Sequence, residues 1–157
     1  MDQELARQLS KLIRGARQAS LGSLYNGLPL VSMVLIAPSP DLSSYYIHIS
    51  RLAQHTRDID NDPSIGLMMM EPDQGAGDPQ QLSRVSLLGR AFKISGGDSD
   101  YQQACSLYLE RYPTTAPYFT FSDFRMYRIK IESGRFVAGL AKAINLTAED
   151  LKQASQA

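Results

Sequence analysis

The residues best equipped for chemistry in this chain gather in one polar turn, where Ser50, Arg51, Gln54, His55, Thr56 and Arg57 lie within eight positions. Guanidinium, imidazole, amide and hydroxyl groups all donate hydrogen bonds to an anion, and the planar arginine fork suits phosphate. The aromatic and β-branched run Tyr45–Ile49 reads as a strand. After Ser50 the spacing of Leu52, Ala53, Thr56 and Ile59 becomes helical. Asp62-Pro63 stops that short helix, because a residue before proline is pushed out of the α region. The turn therefore sits at a helix N-terminus, where free N–H groups and the positive end of the dipole attract anions. It reads as a phosphate seat, or as a solvated cap rich in Ser, Thr and Arg.

Little else in the chain competes for a chemical role. The single cysteine, Cys105, excludes a disulfide framework, and its place in an amphipathic stretch reads as structural rather than nucleophilic. The two histidines, His48 and His55, lack supporting carboxylates, so no metal site is expected. Phosphate-loop, dinucleotide, HExxH and GxSxG patterns are absent from the sequence.

The elements that must hold the turn can be read around it. Asp2 caps a first helix to Arg17, with Leu5, Leu9, Leu12, Ile13 and Ala16 on one face. Leu21–Tyr25 and Leu30–Ala37 read as strands joined by an Asn26-Gly27 turn. With Tyr45–Ile49 they are expected to form an antiparallel meander, the second strand covered on both faces. Ile65–Met70 is a further strand, followed by the irregular loop Glu71–Gln81. Leu82–Ile94 is a long strand whose Gly89 marks a bend or close approach. A helix over Asp100–Arg111, capped by Asp98 or Ser99, leads to the aromatic segment Thr114–Ser122, read as a packed connection. Phe124–Glu132 and Phe136–Leu140 are strands separated by a Ser133-Gly134 turn, and Thr147–Asp150 opens a last helix with a capping box. The tally fits an antiparallel barrel flanked by helices.

At 157 residues, with 43% hydrophobic and 20% charged content, the chain has the size of one domain over 1–157. Sixteen basic and sixteen acidic residues cancel, so no net field recruits nucleic acid or an anionic membrane. No apolar run approaches a membrane span and no signal-peptide core is present, so the cytoplasm is the expected location.

The pattern S-x-L-A-x-H-T-R-x-I-x-x-D-P, followed by an apolar strand, resembles the split-barrel superfamily of pyridoxamine 5'-phosphate oxidases. The blocks LERYP and FSDFRMYRIKIESGRFVAGLAKA resemble its haem-utilisation (HugZ-like) branch. The resemblance implies an α+β, mainly β fold, an antiparallel split β-barrel flanked by helices. It also implies a homodimer with flavin mononucleotide (FMN) at two equivalent interface sites, and an oxidoreductase whose substrate and catalytic residues the chain leaves open. Carried over by position, Ser32, Met33 and Val34 would run along the flavin ring, and His48 and Ile49 would continue that wall. Gln54 and His55 fall at phosphate-ligand positions, beside Ser50, Thr56 and Arg57, and Arg84 would reach the flavin from another strand. Where the oxidases carry arginine and lysine on the strand under the ring, this chain has Ser32 and Ala37. Their C-terminal Arg-x-His also lacks a counterpart, since no histidine follows His55. Haem, ligated by His48, His55 or Tyr127, is the alternative ligand, and a cofactor-free dimeric module is a third reading.

Overall fold

The computed structural model describes residues 1–140 and 142–157. Among the described residues, eight strands form one antiparallel sheet. They are β1 (Gln18–Tyr25), β2 (Leu28–Leu35), β3 (Ala37–Pro38), β4 (Ser44–Ser50), β5 (Ser64–Met70), β6 (Arg84–Ile94), β7 (Phe124–Val137) and β8 (Ala143–Thr147). The order is β2-β1-β5-β6-β7-β4-β3, with β8 beside β7. Among the same residues, four α-helices accompany them: α1 (Gln3–Gly15), α2 (Gln54–Asn61), α3 (Tyr101–Arg111) and α4 (Ala148–Ser155).

The two edges of the sheet, β2 and β3, belong to one run of chain interrupted only at Ile36. The sheet therefore curls until its edges meet, the split-barrel architecture expected from the resemblance. The expected meander is corrected here. β2 pairs with β1 alone, whereas β4 pairs with β7 and, over two residues, with β3. Beyond Tyr46, the β3 side of β4 and the free edge of β2 are left without a ladder partner, and a seam runs between them. Tyr112 anchors the interruption: its hydroxyl lies 2.7 Å from the Ile36 carbonyl and 2.5 Å from that of Arg17.

The barrel interior is apolar and plugged by helices. Leu9, Leu12 and Ile13 of α1, with Leu151 and Ala154 of α4, join Leu21, Ile47, Leu67, Leu87, Ile129 and Phe136 in one buried cluster. Asp2 caps α1 by accepting from the Leu5 N–H, and Thr147 and Asp150 form the capping box of α4. A second cluster lies outside the barrel, where Ala104, Tyr108 and Tyr112 pack on Ala37, Tyr46, Ile94 and Met126.

Three local expectations change. Ser133-Gly134 is not a turn, and β7 continues through it for 14 residues. A Cβ on Gly134 would sit 2.6 Å from Leu87 Cδ2 and 2.8 Å from the Ser86 carbonyl, so this glycine serves close strand approach. The chain reverses later, past Gly139 at φ +89°, and Ala143–Thr147 becomes an unforeseen strand. Neither Asp98 nor Ser99 is the N-cap of α3. Asp98 accepts from the Ser95 N–H to close the turn, and Asp100 stands at the cap, its carboxylate taken by Tyr46 and Arg128. Finally, Val31 and Met33 on β2 are 68% and 62% exposed, so one face of that strand is bare in the single chain. Among the described residues, no helix is long and apolar enough to cross a membrane.

Candidate functional site

The seam widens into a cleft of about 230 Å³ bounded by Met33, Val34 and Leu35 of β2 and by His48, Ile49 and Ser50 of β4. Ala53 and His55 close one end, where Phe124 lies beside Ser50, and Tyr108, Thr115 and Tyr118 complete the lining. Both strand edges along it are unpaired, so their outward backbone N–H and C=O groups can serve a flat ligand.

The end at α2 is built around Ser50. Its carbonyl accepts from Thr56 Oγ1 at 2.7 Å and from the Ala53 N–H at 3.1 Å. Its hydroxyl donates to Asp123 Oδ2, and the Arg51 N–H donates to the Asp123 carbonyl. These bonds lock the turn, yet the helix they launch has no side-chain cap, because Ala53 occupies the N-cap and no acid lies in the first turn. The free N–H groups of α2 thus remain at the cleft end lined by Ala53 and His55. His55 Nδ1 lies 3.1 Å from Ser32 Oγ across the seam. Burial lowers the His55 pKa, and the Asp58 carboxylate partly offsets that fall.

His48 sits deeper, in an aromatic cage. Phe119 stacks on it at 3.9 Å between centroids, 14° between planes, and Tyr108 meets it edge-on at 5.8 Å. Burial holds the imidazole pKa down at about 4, and its Nδ1 is enclosed without a hydrogen-bond partner. This end of the cleft is neutral and aromatic.

Of the residues singled out from sequence, Met33, Val34, His48, Ile49, Ser50 and His55 line the cleft, and Ser32 reaches it through His55. Gln54 turns to Asp58, donating Nε2–H to Oδ1 at 2.7 Å, while its Oε1 accepts from Arg57. Thr56 is fully buried and holds the turn. Arg57 and Arg51 are both exposed and neither lines the cleft. Arg84 lies apart. It pairs with Met70 at the far end of β5, roughly 20 Å of strand from the α2 end, and its guanidinium is bound to the carbonyls of Gln80 and Leu82. The residues missed are Leu35, Ala53, Tyr108, Thr115, Tyr118 and Phe124. Their one visible signal was aromatic density, since Tyr118, Phe119, Phe121 and Phe124 crowd seven positions.

Comparison with known proteins is consistent with this arrangement. Residues 5–138 match the family model described as pyridoxamine 5'-phosphate oxidase. The heme oxygenase HutZ of Vibrio cholerae is 25% identical over 108 residues, which cover 68% of this chain and 61% of that protein. A heme-binding protein from Mycobacterium smegmatis superposes with TM-score 0.86 at 21% identity, covering 98% of this chain and 62% of the other. ChuZ of Campylobacter jejuni superposes with TM-score 0.82 at 19% identity, covering 96% and 62%. The chain therefore spans less than two thirds of the length of each of these three. The match over most of its length shows that the chain belongs to the pyridoxamine 5'-phosphate oxidase family and resembles the haem-utilisation branch within it.

Proposed function

We propose that the seam binds flavin mononucleotide in a homodimer, and that the protein is an FMN-dependent oxidoreductase. One observation carries the reading: the uncapped N-terminus of α2 opens onto the same cleft as the two unpaired strand edges. An anion seat at one end and a hydrogen-bonding slot with apolar walls along the rest match a ring system joined to a phosphate. Bound flavin supplies the redox chemistry, and the protein supplies position and electrostatics. His55 and the α2 N–H groups hold the phosphate, with Arg57 adding positive charge from the same helix, while Met33, Val34 and Ile49 wall the ring. Arginine and lysine would strengthen that seat, and Ser32 on β2 and Ala37 on β3 stand in their place.

The size of the cleft argues for a second copy. About 230 Å³ falls below the roughly 300–1,000 Å³ of ordinary small-molecule sites, so one chain supplies part of a site. A second copy whose strands run opposed across the bare face of β2 would bring its Arg84 end toward this α2 end.

The test is a titration with FMN and with riboflavin, which lacks the phosphate. FMN at a hundredfold excess over Kd should stabilise the fold by about 2.7 kcal/mol, or roughly 5–10 °C in Tm. Riboflavin should do much less, and Arg57→Ala should weaken FMN alone. Equal shifts from the two ligands would remove the anion seat from this account.

A second reading is haem binding on the same surface. It is favoured by His55, whose contact with Ser32 leaves Nε2 free, the arrangement used by metal-ligating histidines. Two of the relatives above are described as heme oxygenase and heme-binding protein. A Soret band on hemin addition, lost in His55→Ala, would favour this reading over flavin.

A further inference from the structure

At the end of the cleft away from α2, one polar group is left with nothing to do. Tyr108 is only 3% exposed and its ring belongs to the cluster under β3 and β4, yet the residue lines the cleft. Among the described residues its hydroxyl has no hydrogen-bond partner, and it does not share the full enclosure of the His48 Nδ1 and Tyr45 hydroxyl. Open to the cleft, the phenol is hydrated until a ligand atom takes the water's place. Its neighbour Tyr112, about one turn further on at the C-cap of α3 and equally buried, has two backbone carbonyls within reach. Tyr108 therefore differs from the structural tyrosine beside it in presenting an unmet donor to the cleft.

The surroundings define what that donor can meet. No Lys, Arg, Asp or Glu lines the cleft among the described residues, and burial keeps both Tyr108 and His48 uncharged at neutral pH. A carboxylate or phosphate placed there would lie desolvated with no countercharge. An uncharged carbonyl on the edge of a flat ring would accept from the phenol while its faces met Val34 and Leu35. We infer that Tyr108 is a specificity-determining residue, donating a hydrogen bond to a neutral carbonyl of the planar ring held in the seam. This rests on the flavin reading and deepens it, because it fixes the ring's orientation: charged tail at α2, uncharged carbonyl edge at α3.

The experiment separates the two ends of the cleft. FMN and lumiflavin, an isoalloxazine without the ribityl phosphate, are titrated by fluorescence into wild type, Tyr108→Phe, Tyr25→Phe and Arg57→Ala. Tyr108→Phe deletes one hydroxyl and keeps the packing; it should weaken FMN and lumiflavin alike, about fivefold to tenfold. Tyr25→Phe, which removes an exposed hydroxyl at the end of β1, outside the cleft, should change neither. Arg57→Ala should weaken FMN and spare lumiflavin. Wild-type affinity for both flavins in Tyr108→Phe overturns the inference alone and leaves a bound water as the phenol's partner. A wild-type protein that binds neither flavin overturns the flavin reading, and this inference with it.

Discussion

His48 shows how a single side chain can report on the site without a ligand. Caged by Phe119, Tyr108 and Phe124, its imidazole is held neutral, with a pKa lowered by burial from 6.5 to about 4. The unfolded chain takes up a proton as pH falls through 6.5, whereas the folded chain resists until about 4. The stabilisation is therefore fully present above pH 6.5 and is lost progressively down to about pH 4. His48→Phe keeps the stacking and removes the titration, so Tm should fall less steeply through that window than in wild type. His55 is lowered in the same direction and contributes to the same slope, so His48→Phe should flatten the slope only in part. Identical Tm profiles for wild type and His48→Phe would show that the cage does not hold this imidazole neutral. The sequence placed His48 on the wall of a site, but its cage comes from a segment some seventy positions later. No period or spacing links the two.

The elements divide between those specified locally and those specified by distant partners. Gly89 was legible as a close approach, and the structure shows a register shift between Leu88 and Gly89 where β6 crosses β7. A Cβ there would lie 2.3 Å from the Lys130 carbonyl, which is backbone within a paired strand and has little room to yield. Gly89→Ala should therefore cost about 2–4 kcal/mol, read as a lower urea midpoint. Gly96→Ala, with nothing within 4 Å of the new methyl, should shift it by less than about 0.5 kcal/mol. Coincident midpoints for the two variants would mean that the bulge relaxes freely. Helices α1, α2 and α4 were readable because their caps, stops and apolar spacing are local. Ser133-Gly134 misled because the same dipeptide serves a turn or a tight strand crossing, and only the presence of Leu87 decides which. The pairing of β4 was hidden for a similar reason: Tyr45–Ile49 fits β2 or β7 equally well as a sequence. Closure of the barrel chooses between them. The cleft exists because of that choice, since the unpaired edges are those left by closure.

At the scale of the whole molecule, the outer face of β1, β2, β5 and β6 asks for a partner. Val31, Met33 and Leu88 stand 68%, 62% and 59% exposed around Gly22 and Gly66, which face each other across β1 and β5. Neither glycine is required by its own chain. A Cβ at Gly22 would meet nothing closer than 3.7 Å and one at Gly66 nothing closer than 3.9 Å, and neither has a positive φ. In the proposed dimer their smallness would let a second backbone approach a flat patch flanked by apolar side chains. A two-fold contact of this face with its own copy is self-complementary, and a stable one buries roughly 800 Å² per partner. The wild-type protein should therefore sediment at twice the 17.4 kDa chain mass at micromolar concentration. Gly66→Leu should sediment as the single chain while keeping its fold, because the added side chain disturbs the partner and not the barrel. FMN affinity should fall with the loss of the dimer, since the cleft of one chain is too small to enclose the ligand. A Gly66→Leu protein that stays dimeric would move the interface to another face, and one that is monomeric yet binds FMN as wild type would place the whole site within a single chain.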